Sequence, residues 1–143
     1  MDKWNLFISY EWESKELVHQ ICDDLEKAGF TLWIDRHEVI PGQSIYEKIQ
    51  KGINKSEVVL AFVTLKYCSS RSCQQEILFA NSIKDKKVLY IVLEKINRQC
   101  APNGMGLLLT QKCYYGLYNK KWSNEELNNL KKAITEINNQ SNM

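Results

Sequence analysis

Residues 69 to 80 read SSRSCQQEILFA, and helical spacing sets Glu76 among Cys73, Ile77, Phe79, Ala80 and Ile83. Those neighbours mark the side of a helix that faces a core. An ionised carboxylate in apolar surroundings projects a strong field and can counter positive charge on a bound group. The surroundings favour the neutral acid, whereas the nearby helix N-terminus favours the anion, and the sequence leaves that contest open. A plainer role also fits, that of a first-turn acid complementing the helix dipole.

The elements that must position this acid alternate along the chain. Trp4 to Tyr10 is an apolar run that predicts a strand. Leu17, Val18, Ile21, Cys22, Leu25 and Ala28 then follow helical spacing over residues 14 to 28, with Gly29 as the stop. Phe30 to Ile34 predicts a second strand, and residues 35 to 43, DRHEVIPGQ, a loop with a Pro-Gly turn. Ser44-x-x-Glu47 is a capping box opening a helix with Ile45, Ile49 and Ile53 along one face. Glu57 to Thr64, EVVLAFVT, is continuously apolar, as a strand buried on both faces must be. A helix over about 72 to 84, a strand over Lys87 to Leu93, an irregular stretch over 94 to 111 and a fifth strand over Lys112 to Leu117 come next. Ser123-x-x-Glu126 caps a last helix carrying Leu127, Leu130, Ile134 and Ile137. The pattern is one domain over residues 1 to 143, with a core from about 4 to 139 and a frayed tail at 140 to 143.

Five strand-helix alternations imply an α/β fold with a parallel sheet and helices on both faces; the expected form is a flavodoxin-like three-layer sandwich with a five-stranded parallel sheet in the order 2-1-3-4-5. Ligands of such sheets gather outside the carboxyl ends of the strands, where the strand order reverses. If the order is flavodoxin-like, that point lies between the first and third strands. It gathers Ser9, Tyr10, Glu11 and Trp12, residues 64 to 73, and Glu76 one turn further on.

Composition excludes several classes. The chain has 143 residues, 44% hydrophobic and 25% charged, and a net charge of +2 with the basic residues scattered, so there is no footprint for nucleic acid. The longest apolar run, Val58 to Val63, is too short to span a bilayer. Cys22, Cys68, Cys73, Cys100 and Cys113 are odd in number and lack C-x-x-C spacing, which argues against zinc or a disulfide framework and for reduced thiols in the cytoplasm. No G-x-G-x-x-G, phosphate loop or G-x-S-x-G elbow occurs. A response-regulator receiver needs clustered acids after the first strand, and an FMN site needs a loop rich in Ser, Thr and Gly. The segment YEWESKE offers neither. His19 and His37 read as ordinary packing or surface histidines.

Three segments together resemble the Toll/interleukin-1 receptor (TIR) domain family. LFISYEW at 6 to 12 resembles its first box. GFTLWIDRHEVIPGQSI at 29 to 45 resembles its second strand and BB loop. INKSEVVLAFVTLKYCSSRSCQQEI at 53 to 77 is similar to its third-strand region, with Ser56, Tyr67, Ser70, Cys73 and Glu76 at the patterned positions and Ser72 where the family often has Trp. The resemblance covers roughly residues 4 to 139.

The family contains adaptors that only self-associate and enzymes that cleave NAD+ at the nicotinamide-ribose bond. The glutamate those enzymes require corresponds to Glu76. The resemblance therefore implies an NAD+ glycohydrolase releasing nicotinamide and ADP-ribose or cyclic ADP-ribose, activated by self-association with other TIR domains, in immune or cell-death signalling. The alternative it implies is a non-catalytic adaptor. NAD+ is then substrate, and neither a cofactor nor a metal is called for. Nicotinamide leaves a cationic pyridinium as a neutral molecule and needs no proton, so one carboxylate steadying an oxocarbenium-like ribose suffices. Tyr10, Trp12 and Trp33 are candidates to stack on its rings, although aromatic residues at strand ends are more often core. Arg36, Lys66 and Arg71 are candidate phosphate contacts, with solvent exposure as their ordinary role. Glu11, Ser44, Tyr67 and Cys73 complete the candidate substrate contacts, Cys73 also fitting a small buried hydrophobe. Val39, Ile40, Pro41 and Gly42 form the BB-loop segment expected to meet a neighbouring TIR subunit.

Overall fold

The computed structural model describes residues 5–34, 45–94, 114–117 and 121–139. Its central element is β3, Val58–Val63, whose six residues are all 0% exposed. A strand of Val, Val, Leu, Ala, Phe and Val has no face for water and needs a strand on each side and a helical layer on each face. The neighbours are β1 (Asn5–Tyr10) and β4 (Lys87–Val92), followed outward by β2 (Thr31–Ile34) and β5 (Tyr114–Gly116). The sheet is parallel throughout, in the order β2-β1-β3-β4-β5 expected from the sequence.

Alternation sorts the side chains into two cores. Leu6, Ile8, Leu60, Phe62, Leu89 and Ile91 face one way. They pack on Val18, Ile21, Cys22 and Leu25 of α1 (Lys15–Lys27) and on Leu130, Ile134 and Ile137 of the last helix, α5 (Asn124–Asn139). Phe7, Val59, Ala61, Val63, Val88 and Tyr90 face the other way. Against them lie α2 (Ile45–Lys55), α3 (Leu65–Ser69) and α4 (Arg71–Ser82), through Ile53, Tyr67, Cys68, Cys73, Ile77 and Ala80. No helix among the described residues is long and apolar enough to cross a membrane.

The element bounds follow the sequence reading with small shifts, and Gly29 ends α1 at a φ of 106° that a side chain would strain. Two short elements depart from it. A 3-10 turn at Trp12–Ser14 follows β1, with the Glu11 carboxylate accepting from Glu13 N at 2.9 Å. The predicted crevice segment after β3 is the five-residue helix α3, opened by Thr64 Oγ1 accepting from Tyr67 N at 3.0 Å. Both are too short to leave a period in the sequence. The capping box of α5 forms on one side only. Ser123 Oγ accepts from Glu126 N at 3.3 Å, whereas Glu126 is buried and its carboxylate takes the Tyr115 hydroxyl. The BB-loop segment, Ser44 and its capping box, most of the 94–111 stretch and the tail lie outside the described residues.

Gly52 lets α2 seat on the sheet. A Cβ there meets the Phe7 ring at 3.0 Å and Trp33 at 3.3 Å. Gly52→Ala gains about 1 kcal/mol of helix propensity but forces a ring inside a packed core, which costs about 1–3 kcal/mol. A net loss of stability of about 1 kcal/mol is expected, read as a lower urea midpoint at unchanged slope.

Candidate active site at the carboxyl end of the sheet

Ser9 is the last residue of β1 that points toward α3 and α4, and it is 1% exposed. A buried hydroxyl needs partners. It finds two: Glu76 Oε1, to which Ser9 Oγ donates at 2.6 Å, and the Tyr67 hydroxyl at 2.7 Å. Tyr67 comes from α3 and is fully buried, whereas Glu76 comes from the second turn of α4 and is half-buried. Three elements remote in sequence therefore meet at one carboxylate, at the carboxyl end of the paired strands β1 and β3. This is where the strand order placed the acid, on the shoulder of the apolar face that Cys73, Ile77 and Ala80 form.

Helix α4 is fixed at both ends. Ser70 Oγ accepts from Cys73 N at 3.3 Å at the start, and Gln74 Nε2 donates to the Cys68 carbonyl. Toward its end Asn81 Nδ2 donates to the Tyr90 hydroxyl at 3.2 Å. Cys73 lies under the site, 4% exposed, with its Sγ 3.6 Å from the Tyr10 carbonyl. Burial pushes its thiol up to about 12, with the Glu76 and Glu11 carboxylates acting in the same direction and the Ser70 hydrogen bond against it. Burial likewise holds the Tyr67 phenol well above its usual range.

The other candidates are distributed differently. The Tyr10 ring faces the α1 layer, edge-on to His19 at 5.8 Å with its hydroxyl 3.3 Å from Nε2, so alternation turns it away from Glu76. Glu11 is committed to its cap. Trp12 is 49% exposed at the rim with Lys15 Nζ 4.2 Å from its ring. Lys66 is paired with Glu13 at 2.8 Å in the open, and Arg71 is exposed at the first position of α4. Trp33 packs in the α2 layer. Arg36, His37, Ser44, Val39, Ile40, Pro41 and Gly42 lie outside the described residues. Among the predicted contacts, Tyr67, Cys73 and Glu76 are brought together and Tyr10, by its ring, is not. Reading substrate contacts alone missed Ser9 as the partner of both Tyr67 and Glu76. Its signal is positional, the last inward place on β1.

A cavity of about 330 Å3 lies at the opposite end of the sheet, lined by Ser56, Glu57, Lys84, Asp85, Lys86, Lys87 and Asn138 among others. There the Lys86 amine already donates to the Ser56 carbonyl, and no strand presents its carboxyl end. The acid held at the carboxyl end is the better candidate.

A doubly wound parallel domain with a half-buried glutamate at its switch point is the class that fold and site define. The TIR domain family model matches residues 6–134, and the chain belongs to that family. It is 25% identical over 100 residues to the NAD(+) hydrolase TcpA of Theionarchaea archaeon (strain DG-70-1), covering 68% of this chain and 30% of that protein. It is 28% identical over 120 residues to Toll-like receptor 6 of Homo sapiens, covering 78% of this chain and 15% of the receptor. The chain therefore spans less than a third of either relative. The TIR domain of the Toll-related receptor TRR-2 from Hydra magnipapillata shares the fold, with a TM-score of 0.70 at 16% identity over 94% of this chain and 98% of that one.

The buried thiol supplies a direct check of the site's packing. With Cys73 held up at about 12, iodoacetamide at pH 8 should label it about a thousandfold more slowly than a free cysteine. Peptide mapping by mass spectrometry reads this, and urea should restore ordinary reactivity.

Proposed function

We propose that this chain is a cytoplasmic TIR-domain NAD+ glycohydrolase that cleaves the nicotinamide-ribose bond and signals in immunity or cell death upon self-association. The observation that carries the reading is the Glu76 carboxylate, held by Ser9 at the carboxyl end of the sheet in an otherwise apolar setting. A relative named as an NAD(+) hydrolase supports the same direction.

The chemistry asks little of the protein beyond this. Bond cleavage leaves positive charge on the ribose C1′ and O4′ while the pyridinium becomes neutral nicotinamide. A carboxylate within reach of the ribose hydroxyls stabilises that charge more than it stabilises bound NAD+, which is the condition for catalysis. Water then takes the ribosyl cation to ADP-ribose, and capture by the adenine gives the cyclic form. Trp12, exposed beyond the end of β1, and Arg71, exposed at the start of α4, are candidates to touch a ring and a phosphate. The second reading, a docking module, is favoured by the exposure of Leu65 at 40% and Leu78 at 65% on the same helical layer, and by the resemblance to a Toll-like receptor.

Nicotinamide release, followed by chromatography across a range of protein concentrations, separates the two. Under the hydrolase reading the specific activity rises with concentration, and Glu76→Gln lowers kcat by about 10²-fold or more with the fold intact. Full activity in Glu76→Gln excludes this site. Silence of the wild-type chain at every concentration, and on a crowding support, leaves the docking module.

A further inference from the structure

We propose that Tyr67 and Ser9 form a one-way hydroxyl relay, Tyr67 to Ser9 to Glu76, that holds the Glu76 carboxylate ionised and fixed in orientation. Both are positioning residues, and their role in turnover rests on the hydrolase reading above.

The direction follows from counting protons. Ser9 has a single hydroxyl proton, and it is spent on Glu76 Oε1 at 2.6 Å. The contact of 2.7 Å between Ser9 Oγ and the Tyr67 hydroxyl must then be donated by Tyr67. Tyr67 is able to fill that role at any ordinary pH, since burial keeps the phenol protonated. The opposite arrangement has a cost. If Glu76 took up a proton and donated it to Ser9, Ser9 would donate to Tyr67, and the phenol proton would need a new acceptor. Tyr67 is 0% exposed, so water cannot serve, and among the described residues its hydroxyl has no other hydrogen-bond partner. Protonating Glu76 therefore either reverses the chain and strands a buried donor, which costs about 1–3 kcal/mol, or puts the proton on Oε2 and leaves Ser9 donating to a neutral carboxyl, a weaker acceptor than the anion.

Four other described titratable groups stand on the same and neighbouring elements. Cys73 beneath it on α4 stays a neutral thiol, and Glu11 beyond the end of β1 is a second carboxylate that opposes the anion. Lys66 on α3 is engaged with Glu13 at the rim, and Arg71 is exposed at the start of α4. Two neutral hydroxyls favour the anion and add no positive charge of their own.

The test needs no turnover. The Glu76 carboxyl carbon is titrated by NMR in ¹³C-glutamate-labelled chain, as wild type, Tyr67→Phe, Ser9→Ala and the double variant. Each single substitution is expected to raise the titration midpoint by about half a pH unit or more, because a hydrogen bond to the charged form has been weakened or lost. In the Ser9→Ala background, Tyr67→Phe should add nothing, since Tyr67 reaches Glu76 only through Ser9. An unmoved midpoint in a cooperatively folded Tyr67→Phe or Ser9→Ala chain overturns the relay, and so do additive shifts. In the NAD+ assay both variants should lower kcat several-fold, leave KM near its wild-type value, and move the acid limb of the pH profile upward by the same amount as the NMR midpoint. A wild-type chain that cleaves no NAD+ sinks the hydrolase reading, while the NMR titration still decides the relay.

Discussion

The structure depends on one exclusion: β3 can meet no water on either face. A strand of that kind has to be interior, so its neighbours run parallel to it and the chain must cross over through helices. From this the rest of the geometry follows. β1 lies beside it in a fixed register, Ser9 opposite Ala61 and Tyr10 opposite Phe62. The pleat then assigns Phe7 and Ser9 to the α2–α4 layer and Leu6, Ile8 and Tyr10 to the α1 and α5 layer. A slip of one residue would exchange Ser9 for Tyr10 beneath Glu76, replacing a hydroxyl of the right size with an aromatic ring. The site is as exact as the register, and the register is as exact as the burial of β3.

The electrostatic character of the site comes from the same source. The inward positions of the layer that carries Glu76 include Val63, Ala61, Cys73 and Tyr67, none of which is charged. Ser9 donates to the carboxylate, and the lysine of α3 pairs with Glu13. An arginine in place of Ser9 would hold the carboxylate more firmly but would also spend its field. A carboxylate meant for structure is commonly paired, and one meant to act on a passing cation is better served by neutral donors.

Much of this was legible from residue types. Alternation of strand and helix, the apolar run of β3 and the glycine after α1 marked out the class of fold, because long periodic segments reflect burial directly; the strand order was the expectation for a flavodoxin-like form, and the sheet adopts it. Glu76 stood out because an acid on an apolar helix shoulder conflicts with the pattern around it. What the sequence concealed depends on contacts between distant residues. The bond from Ser9 to Glu76 spans 67 positions and leaves no local trace. The five residues of α3 are too few to show a period, and Glu11 stood among the candidate substrate contacts until its cap to Glu13 was visible. Glu126 fits the capping-box pattern, but its carboxylate is drawn inward by Tyr115, a partner from another element. Tyr10 adjoins the site in sequence and is turned from it by the pleat.

The two anchors of α4 have a mechanical consequence. With its first turn tied through Ser70 and Gln74 and its far end held to the sheet at Tyr90, the helix is a beam supported at both ends. Glu76 stands two residues beyond the first support and is itself moored to β1 through Ser9, so the carboxylate can shift only as far as the whole beam shifts.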